Sequence, residues 1–329
     1  MKISPFLIAL MLGSAGAYAQ TPAAPAAAPA ASPAAPAVAP TAAFPGLYAD
    51  PHASAAEWVR SHASDPRAAE IEAAIARQPV ARWFGGWSGD IAAAVGGYVT
   101  QAAEARRTPV LVAYNIPQRD CGQHSAGGER SAQAYQQWIR GFAQAVGEQP
   151  AIVILEPDAL PQMDCLDAAS KAERMQLFQY AVQQFYDLAP RALLYIDIGN
   201  SDWLKPDEAA KRLLLAGVAS AQGFALNVSN YRSDSESKAY GIAVGEALRA
   251  LVGWNKPFVV DTSRNGAGPA GRQWCDAAGR KLGQPPRVFG GAGQPEMALW
   301  IKAPGEADGC AGPAGSFMPE LALGLIRGQ

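Results

Sequence analysis

Ala151-Ile152-Val153-Ile154-Leu155-Glu156-Pro157-Asp158 is the stretch on which the fold turns. Five apolar residues in a row leave no polar face, so a strand made from them must be covered on both sides. Pro157 cannot extend the hydrogen-bonded ladder, and so Asp158 falls just beyond the strand's C-terminal end. Runs of the same kind recur at Ala81–Phe84, Pro109–Asn115, Ala192–Asp197, Gly223–Val228, Lys256–Asp261 and Ala298–Lys302. Between them lie helical patterns over Ile91–Arg106, Ser131–Val146, Ala168–Leu188, Pro206–Ala219 and Ser235–Val252. Buried strands alternating with helices predict an α/β fold with a parallel sheet wrapped in helices. Seven strands suit a single TIM-like barrel. An open doubly wound sheet would carry the same pattern, but Phe84-Gly85-Gly86-Trp87 lacks the glycine spacing and helix start of a phosphate loop.

Polar residues gather where these runs end: Asn115 to Asp120, Glu156 and Asp158, Asp197, Asn227 to Asn230, Asp261 to Arg264, and Lys302 to Asp308. In a barrel such positions converge on one mouth, where active sites are built.

The rest of the 329-residue chain bounds what that mouth does. A net charge of −2 gives no electrostatic footprint for nucleic acid or an anionic membrane. Residues 1–19 read as a signal peptide, with Lys2, an apolar run from Phe6 to Leu12 and a small-x-small site at Ala17-Tyr18-Ala19. Residues 20–42, almost entirely Ala and Pro, predict an extended linker. The remaining 43–329 is then expected to be one domain, a secreted monomer. Export makes the four cysteines candidates for two disulfides. Three pairings are possible, and sequence order favours Cys121–Cys165 with Cys275–Cys310. With no Cys-x-x-Cys pair and only three histidines, neither a metal nor a cofactor is expected.

Several acids have the right setting for chemistry. Asp158 follows an apolar strand and a rigid proline, so partial desolvation would keep it protonated near neutral pH, as a general acid requires. The competing reading is a helix N-cap. Asp120 lies between Arg119 and Cys121 and would raise the pKa of a neighbouring carboxyl by repulsion; its alternative is a surface pair with Arg119. Asp308, between Glu306 and Cys310, is the candidate anionic partner or base, against a solvated loop acid. Asp197 and Asp261 suit either the site or structural pairing with Lys302 or Arg264. Of eight tryptophans, Trp83, Trp203, Trp274 and Trp300 stand at or just past strand ends, where indoles would line a cleft. Trp58, Trp138 and Trp254 sit in helical patterns and are assigned to the core; Trp87 is unassigned. A serine hydrolase is disfavoured, since no Gly-x-Ser-x-Gly elbow exists and no histidine ends a strand.

Tyr114-Asn115-Ile116-Pro117-Gln118-Arg119-Asp120-Cys121-Gly122, Ile154 to Asp158, Tyr195-Ile196-Asp197-Ile198-Gly199 and Asn227-Val228-Ser229-Asn230-Tyr231 form a series. It continues through Asp261-Thr262-Ser263-Arg264-Asn265-Gly266, Trp274-Cys275 and Leu299-Trp300-Ile301-Lys302 to Gly305-Glu306-Ala307-Asp308-Gly309-Cys310. In this order the motifs resemble glycoside hydrolase family 6, the cellulase family of inverting endoglucanases and cellobiohydrolases, from about Phe44 onward. The resemblance implies a distorted seven-stranded barrel acting on β-1,4-glucan chains. It implies that Asp158 is the general acid, that Asp120 raises its pKa and helps deliver water, and that Asp308 is the candidate base. Tyr114 would crowd the sugar at the cleavage point. Lys302 and Glu306 would bind that sugar, and Trp83, Trp203, Trp274 and Trp300 would line subsites, with Asp197 and Asn230 as further substrate contacts. The Cys121–Cys165 and Cys275–Cys310 pairing is also the family's. Two departures stand out: Asn200 replaces a histidine common in the family, and Ser125 lies one place from the expected water-positioning serine. The compact segment between Cys275 and Cys310 and the single closing run Phe317 to Ile326 favour an open-cleft endo enzyme. The alternatives are a cellobiohydrolase of the same family or a non-catalytic glucan-binding protein, and retention of Asp120, Asp158 and Asp308 argues against the latter.

Overall fold

Side chains of a strand alternate between its two faces, and here the buried runs divide accordingly into two cores. The computed structural model describes residues 46–120, 126–289 and 295–329. The expected signal and linker, Cys121 and Ser125 lie outside the described residues. The chain enters through α1 (Ser54–Ser61) and α2 (Ala68–Ile71) before β1 (Arg82–Phe84), α3 (Ile91–Glu104) and β2 (Val110–Ala113). Next come α4 (Ala132–Val146), β3 (Ala151–Leu155), α5 (Ala168–Leu188), β4 (Ala192–Asp197), α6 (Pro206–Leu215) and β5 (Gly223–Leu226). It closes with α7 (Asp234–Val252), β6 (Phe258–Asp261), β7 (Arg287–Val288), β8 (Met297–Leu299) and α8 (Pro319–Arg327).

The sheet order is β1-β2-β3-β4-β5-β6-β8-β7, with every neighbouring pair from β1 to β8 parallel and β7 antiparallel to β8. The seven expected parallel strands are present. β7 is the addition, at two residues too short to carry a periodic signal. The sheet curls until β1 reaches the chain leaving β8: Ala81 N donates to Trp300 O at 2.9 Å, and the Trp83 indole donates to Ile301 O at 2.8 Å. The result is a distorted α/β barrel.

Inward positions Val110, Val112, Ile152, Ile154, Leu193, Tyr195, Val259, Met297 and Leu299 fill the barrel. Their strand neighbours Leu111, Val153, Leu155, Leu194, Ile196 and Val260 face outward, under Tyr98, Phe142, Phe178 and Val244 of the helices. Each such side chain, fully buried, stabilises by about 1.5–3 kcal/mol. The helix starts follow local chemistry. Asp90 caps α3 by accepting from Ala92 N and Ala93 N, Ser131 caps α4, Asp167 caps α5, and Ser233 with Glu236 forms a capping box on α7. α6 ends at Leu215, short of the expected Ala219, because the chain turns at Gly217 with φ +91°. β2 also stops early: Asn115 and Ile116 give their N–H groups to Glu156 instead of to the ladder.

Candidate active site

The mouth of the barrel rests on three strand-end carboxyls that share one device. Glu156, after β3, accepts from Asn115 N at 2.9 Å and Ile116 N at 3.0 Å. Asp197, at the end of β4, accepts from Asp158 N at 2.9 Å and Gly199 N at 3.2 Å. Asp261, ending β6, accepts from four backbone amides: Ser229 (2.9 Å), Ser263 (2.9 Å), Ile301 (3.2 Å) and Lys302 (3.0 Å). All three are fully buried. Burial drives the Glu156 pKa up to about 7 against the pull of its amides, and raises Asp197 and Asp261 too. Each carboxyl thus stitches its own strand to a neighbouring loop.

Two buried arginines complete the frame. Arg174 of α5 donates to Ala159 O, Pro117 O and Gln118 O at 2.6, 2.8 and 3.0 Å, riveting the loops after β2 and β3. Arg212 of α6 donates to Leu160 O and Pro161 O and pairs with Asp164. Neither residue was singled out from the sequence, although a signal existed. Arg174 shares a helical face with Leu177, Phe178 and Ala181, all buried, so a cation there needed internal partners. Asp120, Glu156, Asp158, Asn227 and Ser229 all take left-handed backbone conformations, with φ of 53°, 47°, 68°, 65° and 58°. Such residues cost about 1–3 kcal/mol each and gather where geometry is over-determined.

Above this frame opens a cleft of about 1150 Å³ lined by Trp83, Tyr114, Asp120, Asp158, Trp203, Asn230, Trp274, Lys302, Glu306 and Asp308, among others. Residues from six strand ends meet there. Burial, then repulsion from Asp120 and more weakly from Asp308, carries Asp158 up to about 7, with Arg119 opposing. Asp308 behaves oppositely. Burial pushes it up, but Arg264 and Lys302 outweigh that and hold its carboxyl below the usual range. Arg264 Nη1 lies 2.7 Å from Oδ2 and Lys302 Nζ 3.2 Å from Oδ1. Two acids in one cleft are therefore pushed in opposite directions, Asp158 toward keeping its proton and Asp308 toward ionisation, the arrangement an acid-assisted bond cleavage needs. Burial also raises the Glu306 pKa.

Arg119 is not a surface partner. It is buried, its guanidinium 3.8 Å from the Tyr114 ring centre, and it donates to Tyr114 O at 2.6 Å. Trp83 meets the same tyrosine edge-on at 5.0 Å. Trp203 is placed by two neighbours: Asn200 Oδ1 accepts from Asp202 N at 3.0 Å, and Asn200 O accepts from Trp203 N at 3.1 Å. Asn200, standing where a histidine was expected, is thus a turn former. Gly199, at φ +76°, leaves room for the indole, since a Cβ there would lie 2.4 Å from it. Gly199→Ala should therefore dislodge Trp203 and raise KM on soluble substrate by about 2–12-fold, about 0.5–1.5 kcal/mol, the scale of one lost aromatic contact. An unchanged KM would show that the ring does not carry binding.

Two expected contacts are corrected. Trp300 is 2% exposed, packs with Ile71, Ile75 and Leu323, and donates Nε1 to Gln284 O at 2.9 Å. Leu299 and Ile301 face the barrel interior, so the residue between them points outward, away from the cleft. Asp197 lies behind the cleft wall and holds the Asp158 backbone, rather than presenting oxygens to a ligand. Nor does either Asp197 or Asp261 show a pair with Lys302 or Arg264; their partners are amides. Trp138 is core, Trp254 packs partly buried against that same outer core, and Trp58 packs partly buried against the separate cluster of Ile71, Ile75 and Trp300. Trp87, unassigned before, is 61% exposed and lines the cleft. Cys275 and Cys310 are bridged.

A barrel whose strand-end cleft joins a carboxyl of raised pKa, a charge-paired carboxylate and indoles has the make-up of a glycoside hydrolase. Residues 43–322 match the family described as Glycosyl hydrolases family 6. Endoglucanase 1 of Streptomyces halstedii is 49% identical over 289 residues, covering 86% of this chain and 89% of that protein. A 1,4-beta-D-glucan cellobiohydrolase of Pyricularia oryzae is more distant, 29% identical over 254 residues, or 64% of this chain and 51% of its own. Among solved structures, the endoglucanase Cel6 of Mycobacterium tuberculosis, in complex with methyl-cellobiosyl-4-deoxy-4-thio-β-D-cellobioside, superposes with a TM-score of 0.80. Its identity is 36%, over 86% of this chain and 97% of that one. The chain belongs to glycoside hydrolase family 6, an inverting family.

Proposed function

We propose that this inverting hydrolase is an endo-β-1,4-glucanase that cuts internal bonds of cellulose-type chains with Asp158 as its general acid. The observation that carries the assignment is the opposed setting of Asp158 and Asp308 in one cleft. Asp158 gives its proton to the glycosidic oxygen as the C1–O bond breaks, and water attacks C1 from the opposite face, so a β link becomes an α hemiacetal. The attacking water then loses one proton, which restores the balance. Asp308 faces the developing positive charge as an anion. As a base it would accept that proton on an oxygen already facing Lys302 or Arg264, which makes it a weak base and proton transfer late. Asp120 raises the Asp158 pKa, and Tyr114, stiffened by Arg119 and Trp83, crowds the sugar at the cleavage point. Lys302, Glu306 and Asn230 bind it, and Trp83, Trp203 and Trp274 offer stacking faces along the chain.

The endo reading fits the greater similarity to an endoglucanase than to a cellobiohydrolase. Residues 1–19 serve as signal and 20–42 as linker to a catalytic domain at 43–329, giving a secreted enzyme. No helix among the described residues is long and apolar enough to cross a membrane. Proton NMR of fresh digests is expected to show α-configured new ends first, and carboxymethylcellulose viscosity should collapse while little reducing sugar has formed. New β ends at the outset would exclude inversion here, and viscosity falling only in step with sugar release would mean exo action.

A further inference from the structure

Asp308 is oriented by more than its two cations. Its backbone N–H donates to Asp276 Oδ1 at 2.6 Å, and Asp276 returns the bond, its own N–H donating to Asp308 Oδ2 at 3.0 Å. The second oxygen of Asp276 accepts from Cys310 N at 3.0 Å and Ala311 N at 2.8 Å. Three amides of the Asp308 loop therefore converge on one carboxylate from another loop. Asp276 follows Cys275, whose disulfide partner is Cys310, so covalent and hydrogen-bonded ties join the same two segments. Asp276 holds a left-handed φ of 46°, a conformation unfavourable to most side chains. Trp274, two residues earlier, lines the cleft.

We infer that Asp276 is a positioning residue for Asp308, fixing the loop that aims the cleft's permanent anion. This rests on the reading that Asp308 acts in the cleft. Arg264 and Lys302 set the charge of Asp308, whereas Asp276 sets where its backbone stands. Only a carboxylate suits the post, because donors approach both oxygens. An asparagine would turn an NH₂ group toward one set of amides, leaving them unpaired.

The test is a double-mutant cycle on soluble cellooligosaccharides. Asp276→Asn is expected to lower kcat by about 10–100-fold, the penalty for misplacing a reacting group by about 1 Å, with KM within about twofold. The alkaline limb of its pH profile should move to lower pH, because an anion drawn back from Asp158 repels it less. In Asp276→Asn with Asp308→Asn, the loss should be no larger than for Asp308→Asn alone. Multiplying losses, or a kcat within twofold of the unaltered enzyme for Asp276→Asn, would overturn the inference. An active Asp308→Asn enzyme would instead sink the reading of Asp308 itself. Should Asp276→Asn not fold, Asp276→Gly, which removes the carboxylate and suits the left-handed φ of 46°, enters the same cycle with the same outcomes.

Discussion

Asp158→Asn is expected to reduce kcat on soluble cellooligosaccharides by about 10²–10⁴-fold, the contribution of a positioned general acid, with the fold intact. The amide keeps the shape and cannot give up a proton. The unaltered enzyme should lose activity as pH rises through about 7, where Asp158 ionises. Stability falls in the same direction. A carboxyl whose folded pKa is raised from 3.8 to about 7 favours the native state fully below the unfolded value, and this advantage drains away as pH climbs through the folded one. Asp158→Asn never ionises, so its Tm should exceed that of the unaltered protein at pH 8 and approach it at pH 4. Near-native cutting of carboxymethylcellulose by the variant would refute the acid assignment. A Tm advantage confined to acid pH would refute the account of the pKa.

Asp261→Ala carries the largest expected effect on stability. It strips the acceptor from four backbone amides at once, those of Ser229, Ser263, Ile301 and Lys302. An unsatisfied buried donor costs about 1–3 kcal/mol, so even with partial relaxation the loss should reach about 4 kcal/mol or more in urea unfolding. Asp261→Asn, with one acceptor oxygen left, should fall between. Activity should fall with stability, since the loops bearing Lys302 and Asn230 lose a common anchor. A loss below about 1 kcal/mol would show that these amides find other partners.

The contrast between these two acids explains what could be read from the chain. Strands such as Ala151–Leu155 announce themselves because burial on both faces forbids polar residues, and the helices because their caps are local. That polar residues cluster at strand ends is likewise visible. Whether a strand-end carboxyl turns to the cleft or into the backbone of the next loop is not, since that depends on partners some 40 residues away, as between Asp158 and Asp197. Period-two alternation, applied through Leu299, Trp300 and Ile301, would have excluded Trp300. Asp276 gave no sign, because its partners lie 32 to 35 residues on, across a disulfide.

The seam between β1 and β8 has a mechanical meaning. A tube laddered all the way round changes its bore only by shearing every strand pair. This sheet is closer to a bent strip, clasped by Ala81 against Trp300 and by the Trp83 indole against Ile301. At about 1 kcal/mol net per hydrogen bond, the two bonds of the clasp contribute roughly 2 kcal/mol, and the rest of its hold comes from Ala81 and Trp83 packing on the barrel core. The wall of the groove is therefore least tied by backbone ladder at this one place, and it is there that the Trp83 indole takes over the bond a strand neighbour would have made.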